Sequence, residues 1–128
     1  MNLLLDTHIW IWSKVDPKRL GKRLTSELSK SSNELWLSPV SVWEALALMQ
    51  KGRIRVENPF AWVERAVEQL REAPLTHEIV RTGLALPLPH ADPADRFLAA
   101  TAKVLKLTLV TADQRLLGLG DIASLANR

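Results

Sequence analysis

Residues 2–7, Asn-Leu-Leu-Leu-Asp-Thr, decide the predicted fold of this chain of 128 residues. The three leucines form an apolar run that stops at Asp6, and a helical pattern follows from about Thr7 to Lys14. A run without polar alternation is typical of a short strand that is buried on both faces, as in parallel sheets. The chain is therefore expected to begin as a buried strand that leads into a helix.

A short strand followed by a helix is predicted twice more. Residues 34–37, Glu-Leu-Trp-Leu, resemble a second strand. Ser38 and Pro39 then supply the N-cap and first position of a helix that runs to about Lys51. Residues 107–111 are rich in β-branched side chains and indicate a third strand, which a short helix follows.

Other helices are predicted from proline start signals and apolar spacing. One is expected to open at Pro17 and to carry Leu20, Leu24 and Leu28 on one side. The Leu-Pro-Leu-Pro segment at 86–89 is a connector, because proline lacks a donor and restricts the residue before it. The remaining expectations are a helix from Asn58 with an apolar stripe of Phe60, Val63, Val67 and Leu70, a helix at about 76–84, a long helix from Asp92 to about Leu105, and a last strand near Ile122.

The alternation of strands and helices predicts the fold class. It implies an α/β fold, a three-layer α/β/α sandwich with a central parallel sheet, which we expect residues 1–128 to form as one domain. Ligands in such folds bind beyond the carboxyl ends of the strands. Asp6 and Asp113 fall at or just beyond two of these ends, so this edge of the sheet is the expected site.

The composition narrows the class of protein. Hydrophobic residues make up 47% of the chain, which is enough for an ordinary globular core. The chain has no cysteine, which excludes disulfides and thiolate metal ligands and favours a reducing, cytoplasmic location. The sequence starts without a basic leader, and no stretch approaches the roughly 18 apolar residues of a membrane span. We therefore expect neither a signal peptide nor a membrane segment.

Basic residues cluster in two parts of the sequence. The 17 Lys and Arg exceed the 14 Asp and Glu, and the formal net charge of +3 is compatible with a polyanionic partner. Each cluster is either a solvated surface or a set of phosphate contacts, and the sequence leaves both open. The clusters are Lys14, Lys18, Arg19, Lys22, Arg23 and Lys30 in the first quarter, and Lys51, Arg53 and Arg55 in a second group.

Asp6 and Glu44 are the first candidate site residues. Asp6 stands at a strand end and a helix start, where it can serve as a cap, as a metal ligand or as both. We expect Thr7 to fix its second oxygen by a hydrogen bond. Glu44 is surrounded by apolar residues at 42–43 and 45–48, and an ionised carboxylate in such surroundings needs an ion pair or a metal.

Three more aspartates occur in the last third of the chain. Asp92 stands before a proline and fits a helix cap, whereas Asp95 precedes an alanine-rich face that lets its helix pack closely and direct the carboxylate towards Asp6. Asp113 is either a turn or cap residue or a further member of the site. Thr111 is then a supporting hydroxyl.

Histidines and tryptophans are interpreted mainly as structural. His8, His77 and His90 lack metal-site spacing, although His90, next to a predicted helix cap, is a minor candidate for contact with substrate. Trp10 and Trp12 differ by about 200° around a helix, so one of them is a candidate for an exposed contact with a partner protein.

Four short motifs occur in a fixed order. They are Leu-Leu-Leu-Asp6-Thr7-His8, Ser41-Val42-Trp43-Glu44-Ala45, Asp92-Pro93-Ala94-Asp95-Arg96-Phe97-Leu98-Ala99-Ala100-Thr101-Ala102, and Leu109-Val110-Thr111-Ala112-Asp113. Taken jointly they resemble the PIN-domain family, and within it the VapC-type toxins. The resemblance spans essentially the whole chain.

The resemblance implies a function as well as a compact sandwich with a parallel sheet. In the family, acids that match Asp6, Glu44, Asp95 and Asp113 gather in one pocket and hold magnesium or manganese. The implied activity is endonucleolytic cleavage of RNA. The resemblance to the toxin branch further implies a homodimer and a cognate antitoxin protein that keeps the toxin inactive.

The residue types agree with this chemistry on their own. Magnesium prefers oxygen ligands, with Asp6 and Asp95 expected as direct ligands and with Glu44 and Asp113 acting through bound water or as base. A phosphatase that forms an aspartyl-phosphate would need an aspartate two residues after Asp6, where His8 stands. The other alternative is a PIN-like module that binds RNA or protein without nuclease activity.

Overall fold

The computed structural model describes residues 1–88 and 92–128, so the prediction for His90 lies outside the described residues. Within them, strands and helices alternate along most of the chain. No helix in these two ranges is long and apolar enough to cross a membrane. The strands are β1 (Asn2–Leu5), β2 (Glu34–Leu37), β3 (Arg71–Glu72), β4 (Thr108–Thr111) and β5 (Ser124–Ala126), and the helices are α1 (Thr7–Val15), α2 (Lys22–Ser29), α3 (Pro39–Gln50), α4 (Pro59–Ala66), α5 (His77–Ala85), α6 (Pro93–Leu105) and α7 (Gln114–Leu117).

The strands form one parallel sheet in the order β3-β2-β1-β4-β5. The central strand β1 pairs with β2 through Leu3 and Leu35, and with β4 through Leu5 and Val110. Because parallel strands end at the same edge of a sheet, the residues that follow β1 and β4 are brought together. The predicted α/β class with a central parallel sheet is confirmed.

The three leucines of β1 are buried and divide between two cores. Leu4 packs with residues of α5 and α6 on one face of the sheet, whereas Leu3 and Leu5 pack with residues of α1 and α3 on the other. This division follows from the alternation of side chains along a strand. Helices therefore cover both faces, which gives the three layers expected from the sequence.

The prediction of a helix that begins at Pro17 is wrong for its first part. Residues Pro17–Arg19 form a single 3-10 turn, Leu20 is extended, and α2 begins only at Lys22. Leu20 and Leu24 nevertheless pack in the same core, so the apolar spacing was informative about burial although the helix is interrupted.

The end of the chain sets where α2 starts. The N–H of Gly21 donates to Asn127 Oδ1 at 2.8 Å, and the N–H of Leu24 donates to the carbonyl of Arg128 at 2.8 Å. These are donors that the first turn of a helix leaves without a partner inside the helix. The interruption before α2 thus depends on a contact between distant parts of the sequence, which no local pattern encodes.

Two smaller expectations need correction, and one strand was not predicted. β5 covers Ser124–Ala126 and not the region of Ile122, whose side chain is buried in the core. α4 ends at Ala66, and Phe60, expected in its apolar stripe, is 72% exposed. β3 has only two residues, too few to give a pattern in the sequence.

Replacing Gly21 with alanine is expected to destabilise the protein, because the added Cβ would lie 1.9 Å from the backbone carbonyl carbon of Arg128. The end of the chain would have to leave α2, and the free energy of unfolding should fall by about 1–3 kcal/mol. Urea unfolding would measure the loss. Gly120→Ala is the matched control, since nothing lies within 4 Å of its added Cβ. Equal stability of the two variants would contradict the importance of this contact.

Candidate active site

Asp6 lies where β1 ends and α1 begins, and its side chain is buried. Its Oδ1 accepts a hydrogen bond from the backbone N–H of Thr7 at 2.7 Å, so Asp6 caps α1. Its Oδ2 accepts a hydrogen bond of 2.7 Å from the hydroxyl of Thr111, the last residue of β4. One bond to each oxygen therefore fixes the carboxylate at the carboxyl edge of the sheet.

Thr111 connects Asp6 with Asp113. Its Oγ1 donates to Asp6 and also accepts a hydrogen bond from the backbone N–H of Asp113 at 3.0 Å. Asp113 in turn caps α7 by accepting a hydrogen bond from the N–H of Arg115 at 2.9 Å. Asp113 is thus a helix cap, and the hydroxyl of Thr111 links its backbone N–H to the carboxylate of Asp6.

Glu44 reaches the same region from α3. Its Oε1 accepts a hydrogen bond from the hydroxyl of Thr7, which also lies 2.8 Å from Oγ of the buried Ser41. Because Thr7 has one hydroxyl proton and gives it to Glu44, Ser41 is the donor between the two hydroxyls. Thr7 does hold one oxygen of Asp6, but through its backbone N–H. The other oxygen is held by Thr111, and the Thr7 hydroxyl holds Glu44.

Ser41 is a site residue that sequence reasoning missed. It lies three residues before Glu44 on α3, so the two side chains share one helix face. A serine at this spacing from a candidate acid, within an apolar helix, is the signal that could have found it. Glu44 itself is only half-buried, and the neighbouring Trp43 is 70% exposed, so the apolar neighbours in the sequence do not enclose this carboxylate.

Asp95 enters the site from the third position of α6, with a side chain that is 14% exposed. Asp92 caps α6 by accepting a hydrogen bond from the N–H of Ala94 at 3.0 Å, as predicted. The guanidinium of Arg115 has its Nη2 4.0 Å from Asp95 Oδ2 and 2.9 Å from Asp113 Oδ2. Arg115, which the sequence did not single out, therefore holds Asp95 and Asp113 near each other.

Arg96 supports the chain next to Asp95. Its Nη1 donates to the carbonyls of Gly83 and Leu86 at 3.1 Å each, and its Nη2 donates to the carbonyl of Leu88 at 3.0 Å. The planar guanidinium can make several such bonds at once. Arg96 thus fixes the path that the chain takes on leaving α5.

Negative charge accumulates in this site. The pKa of the Asp6 carboxyl is raised, chiefly by burial and further by the charge of Asp113, against the opposing hydrogen bonds. The pKa of the Glu44 carboxyl is also raised, first by burial and then by the charges of Asp6, Asp92 and Asp95, while its hydrogen bond opposes the shift. The acids are therefore within electrostatic reach of one another, and a cation among them would relieve the repulsion.

The oxygen donors suit a hard divalent cation such as magnesium or manganese. Within residues 1–88 and 92–128, however, no three carboxylate or imidazole groups are close enough together to enclose one ion. Arg115 serves as the counter-cation of Asp113, with Nε 3.2 Å from Oδ1 in addition to the Nη2 contact. The donor set fits such an ion chemically, and an ion bound by Asp113 would compete with Arg115.

The histidines and tryptophans outside this acid cluster have separate places. His8 and His77 are exposed, and neither joins a metal-binding group within the described part of the chain. Trp10 is completely buried and donates from Nε1 to the carbonyl of Ala66 at 3.0 Å. Trp12 is half-buried, so it is the tryptophan of this pair that reaches solvent.

The fold and the site define an α/β protein with an acidic site at the carboxyl edge of a parallel sheet. The sequence profile of the PIN domain matches residues 3–121, and the chain belongs to the PIN-domain family. The resemblance seen in the four motifs is confirmed.

Relatives of this chain include both proteins of similar sequence and solved structures. Ribonuclease VapC22 of Mycobacterium tuberculosis is 34% identical over 116 residues, which cover 89% of this chain and 88% of that protein. The structure of VapBC2 from Rickettsia felis bound to a promoter DNA fragment has a TM-score of 0.77 at 16% identity, with 98% of each chain covered. DNA-bound VapBC from Salmonella typhimurium has a TM-score of 0.76 at 15% identity, covering 100% of this chain and 99% of that chain. The two structures confirm the sandwich fold.

Asp6→Asn is expected to stabilise the metal-free protein at neutral pH, because it removes a buried charge and its repulsion by Asp113. The gain should be on the order of 1 kcal/mol. Since the pKa of Asp6 is raised in the folded state, its ionisation opposes folding once the pH exceeds the ordinary carboxyl range. The advantage of the variant should therefore be present at about pH 7.5 and shrink towards about pH 4.

Urea unfolding with EDTA at both pH values would measure this difference. Asp121→Asn is the control, because the side chain of Asp121 is 76% exposed and its ion pair with Lys103 at 3.5 Å lies on the surface, where such pairs contribute little to stability. An Asp6→Asn protein less stable than the wild type at neutral pH would show that the hydrogen bonds of Asp6 outweigh its burial.

Proposed function

We propose that this chain is a metal-dependent endoribonuclease that works as one domain, residues 1–128, and serves as the toxin of a toxin–antitoxin pair in the cytoplasm. The observation that carries the proposal is that acids from separate parts of the chain lie within electrostatic reach of one another, with Asp113 acting on Asp6, and Asp6 and Asp95 acting on Glu44. Membership of the PIN-domain family and the 34% identity to a protein named as a ribonuclease support RNA as the substrate.

The proposed ion is Mg²⁺ or Mn²⁺. Asp6 and Asp95 would hold it directly, and Glu44 and Asp113 would complete the site through bound water or as a proton acceptor. Such an ion, when bound, activates water for attack on a phosphodiester and neutralises charge on the leaving oxygen. The oxygen-only donor set supports this choice of ion, because no thiolate is present to favour a softer metal.

The protein side chains would position the reacting groups. Thr111 holds one oxygen of Asp6, and Thr7 holds Glu44, so these threonines are the supporting hydroxyls of the proposed site. Glu44 is suited to accept a proton, because burial and neighbouring acids raise its carboxyl pKa towards the working pH. Fixed carboxylates reduce the reorganisation that the reaction would otherwise require.

The nuclease proposal predicts Mn²⁺- or Mg²⁺-dependent cleavage of structured RNA by the purified protein. The double variant Asp6→Asn, Asp95→Asn should lose at least about 100-fold in rate, since it removes both direct ligands. Gel analysis of end-labelled RNA, with and without EDTA, would measure the rate. Equal cleavage by wild type and variant would sink the proposal.

A PIN-like module that binds RNA or protein without cutting is the second candidate. It predicts binding that survives EDTA and no cut product with any divalent ion. The presence of all four acids disfavours it, because burial, and then mutual repulsion, raises the pKa of Asp6 and Glu44, and a site with no catalytic role has no use for such unfavourable charges.

A cognate antitoxin is the proposed protein partner. The similar structures from Rickettsia felis and Salmonella typhimurium are VapBC assemblies, which supports a partner of this kind. The surface also offers apolar side chains for protein contacts, among them Trp43 and Phe60, which line one groove between α3 and α4. A second apolar stripe on α5, formed by Val80 and Leu84, supports the proposed homodimer.

The toxin role predicts that expression of the wild-type chain arrests bacterial growth, whereas the Asp6→Asn, Asp95→Asn variant does not. Co-expression with a small reading frame beside the gene should restore growth and yield a complex that sedimentation velocity can resolve. RNA cleavage in vitro without growth arrest, and without such a reading frame, would leave a PIN-domain nuclease of another role.

A further inference from the structure

An open groove of about 420 Å³ lies along α1, on the side that faces the end of α3 and the chain after it. Half-buried apolar side chains form its floor, among them Trp12, Leu48 and Ile54. Arginines form its rim. This combination of an apolar floor and a basic rim is separate from the carboxylate site.

The rim joins the two basic clusters of the sequence. Arg19 follows α1, and Arg53 and Arg55 follow α3, yet all three line the same groove. In the part of the chain that the structure describes, none of the three forms an ion pair with a carboxylate. Asp16 is the acid among the lining residues, so positive charge predominates. The fold has thus gathered uncompensated cations, which is what a polyanion would meet.

Trp12 and Arg19 form a flat platform in this groove. The guanidinium of Arg19 lies over the indole ring of Trp12, 4.6 Å from its centroid. The centroid of the His8 ring lies 5.8 Å from that of the indole, and the two rings are tilted by 52°. Unpaired nucleobases stack on aromatic rings and on guanidinium planes, so such a platform suits a base that is free of its own duplex.

One end of the groove lies near the acid site. His8 lines the groove and is the second residue of α1, two positions after Asp6. The charge of His8 opposes the raised pKa of the Asp6 carboxyl, so this end of the groove is within electrostatic reach of the acid site. A nucleic acid strand held along α1 would therefore have one end near the carboxylates.

We infer that this groove binds a single-stranded segment of the RNA substrate beside the bond that is cut. Arg19, Arg53 and Arg55 contact its phosphates, and the platform of Trp12 and Arg19 stacks one of its bases. The inference rests on the proposed ribonuclease function and names the form of RNA that the site accepts.

A single strand fits better than the other occupants of a basic groove. Duplex RNA presents phosphates but keeps its bases stacked inside the helix, which would leave the Trp12 platform without a partner. An acidic protein segment could pair with the arginines. It would not explain why one end of the groove lies near carboxylates suited to act on a phosphodiester.

RNA binding can be measured without cleavage, in EDTA and in an Asp6→Asn background, by the fluorescence anisotropy of a short labelled oligoribonucleotide without secondary structure. The test variant is Arg19→Ala, Arg53→Ala, Arg55→Ala. The matched control is Arg23→Ala, Arg65→Ala, Arg81→Ala, which removes the same charge from exposed arginines that do not line the groove.

The groove variant should bind the single strand on the order of 10- to 100-fold more weakly near 0.1 M salt, and its salt slope should fall by about 2. The control variant should change affinity by less than about threefold, because its charges lie away from the strand. Equal losses in the two variants would overturn the inference, since they would indicate attraction by net charge alone.

The platform has its own variant. Trp12→Leu should weaken binding of the single strand roughly tenfold, whereas Trp12→Phe should retain most of the affinity because the phenyl ring can still stack. A duplex of the same sequence should bind both variants equally. Equal single-strand binding by Trp12→Leu and wild type would contradict the stacking role, and circular dichroism would verify that each variant is folded.

Cleavage assays separate this inference from the proposed function. Loss of RNA binding in the groove variant, together with a wild type that never cuts RNA, would support RNA binding in the groove and contradict the proposed nuclease function. A wild type that cuts RNA, together with normal RNA binding by the groove variant, would overturn the groove alone. Normal RNA binding with loss of antitoxin binding would also overturn it, and would assign the groove to a protein.

Discussion

The parallel pairing of β1 with β4 is the constraint on which the rest of the structure depends. It brings the end of one strand beside the end of the other, so that Asp6 meets Thr111 across the sheet and Asp113 follows at once. The helices that leave these strands carry apolar faces back over the sheet, and α3 and α6 then bring Glu44 and Asp95 to the same edge. Position in the fold, more than any single contact, gathers the acids.

Much of this arrangement could be predicted because it is local. An apolar run that stops at an acid marks both a strand and its end, and proline after Ser38 or Asp92 marks the start of a helix. The spacing of Ser41 from Glu44 could have marked it as a site residue, but its contact with Thr7 could not be predicted. The same holds for the contacts of Arg115, since both depend on which side chains meet across the fold. The break before α2 is of the same kind, because its cause lies at the other end of the sequence.

The site keeps its acids in place against their own repulsion. Burial and the neighbouring acids raise the pKa of Asp6 and Glu44, which means that their ionised forms are less favourable in the folded chain than in water. Hydroxyl groups and the guanidinium of Arg115 supply part of the compensation. The repulsion that these groups leave uncompensated would favour the binding of a cation in the site. It also lowers the stability of the metal-free protein.

The bonds from Arg96 to three main-chain carbonyls have an evolutionary consequence. A guanidinium that binds main-chain carbonyls makes no contact that depends on the side chains of that segment. The exposed residues Leu84, Ala85 and Pro87 can therefore be exchanged while the backbone keeps its course, whereas Leu86 and Leu88 are buried in the core. Related proteins could thus alter the surface beside Asp95 and diversify what they select there, without disturbing the acid itself. In this way Arg96 would allow the sequence of the neighbouring segment to change while Asp95 keeps its position.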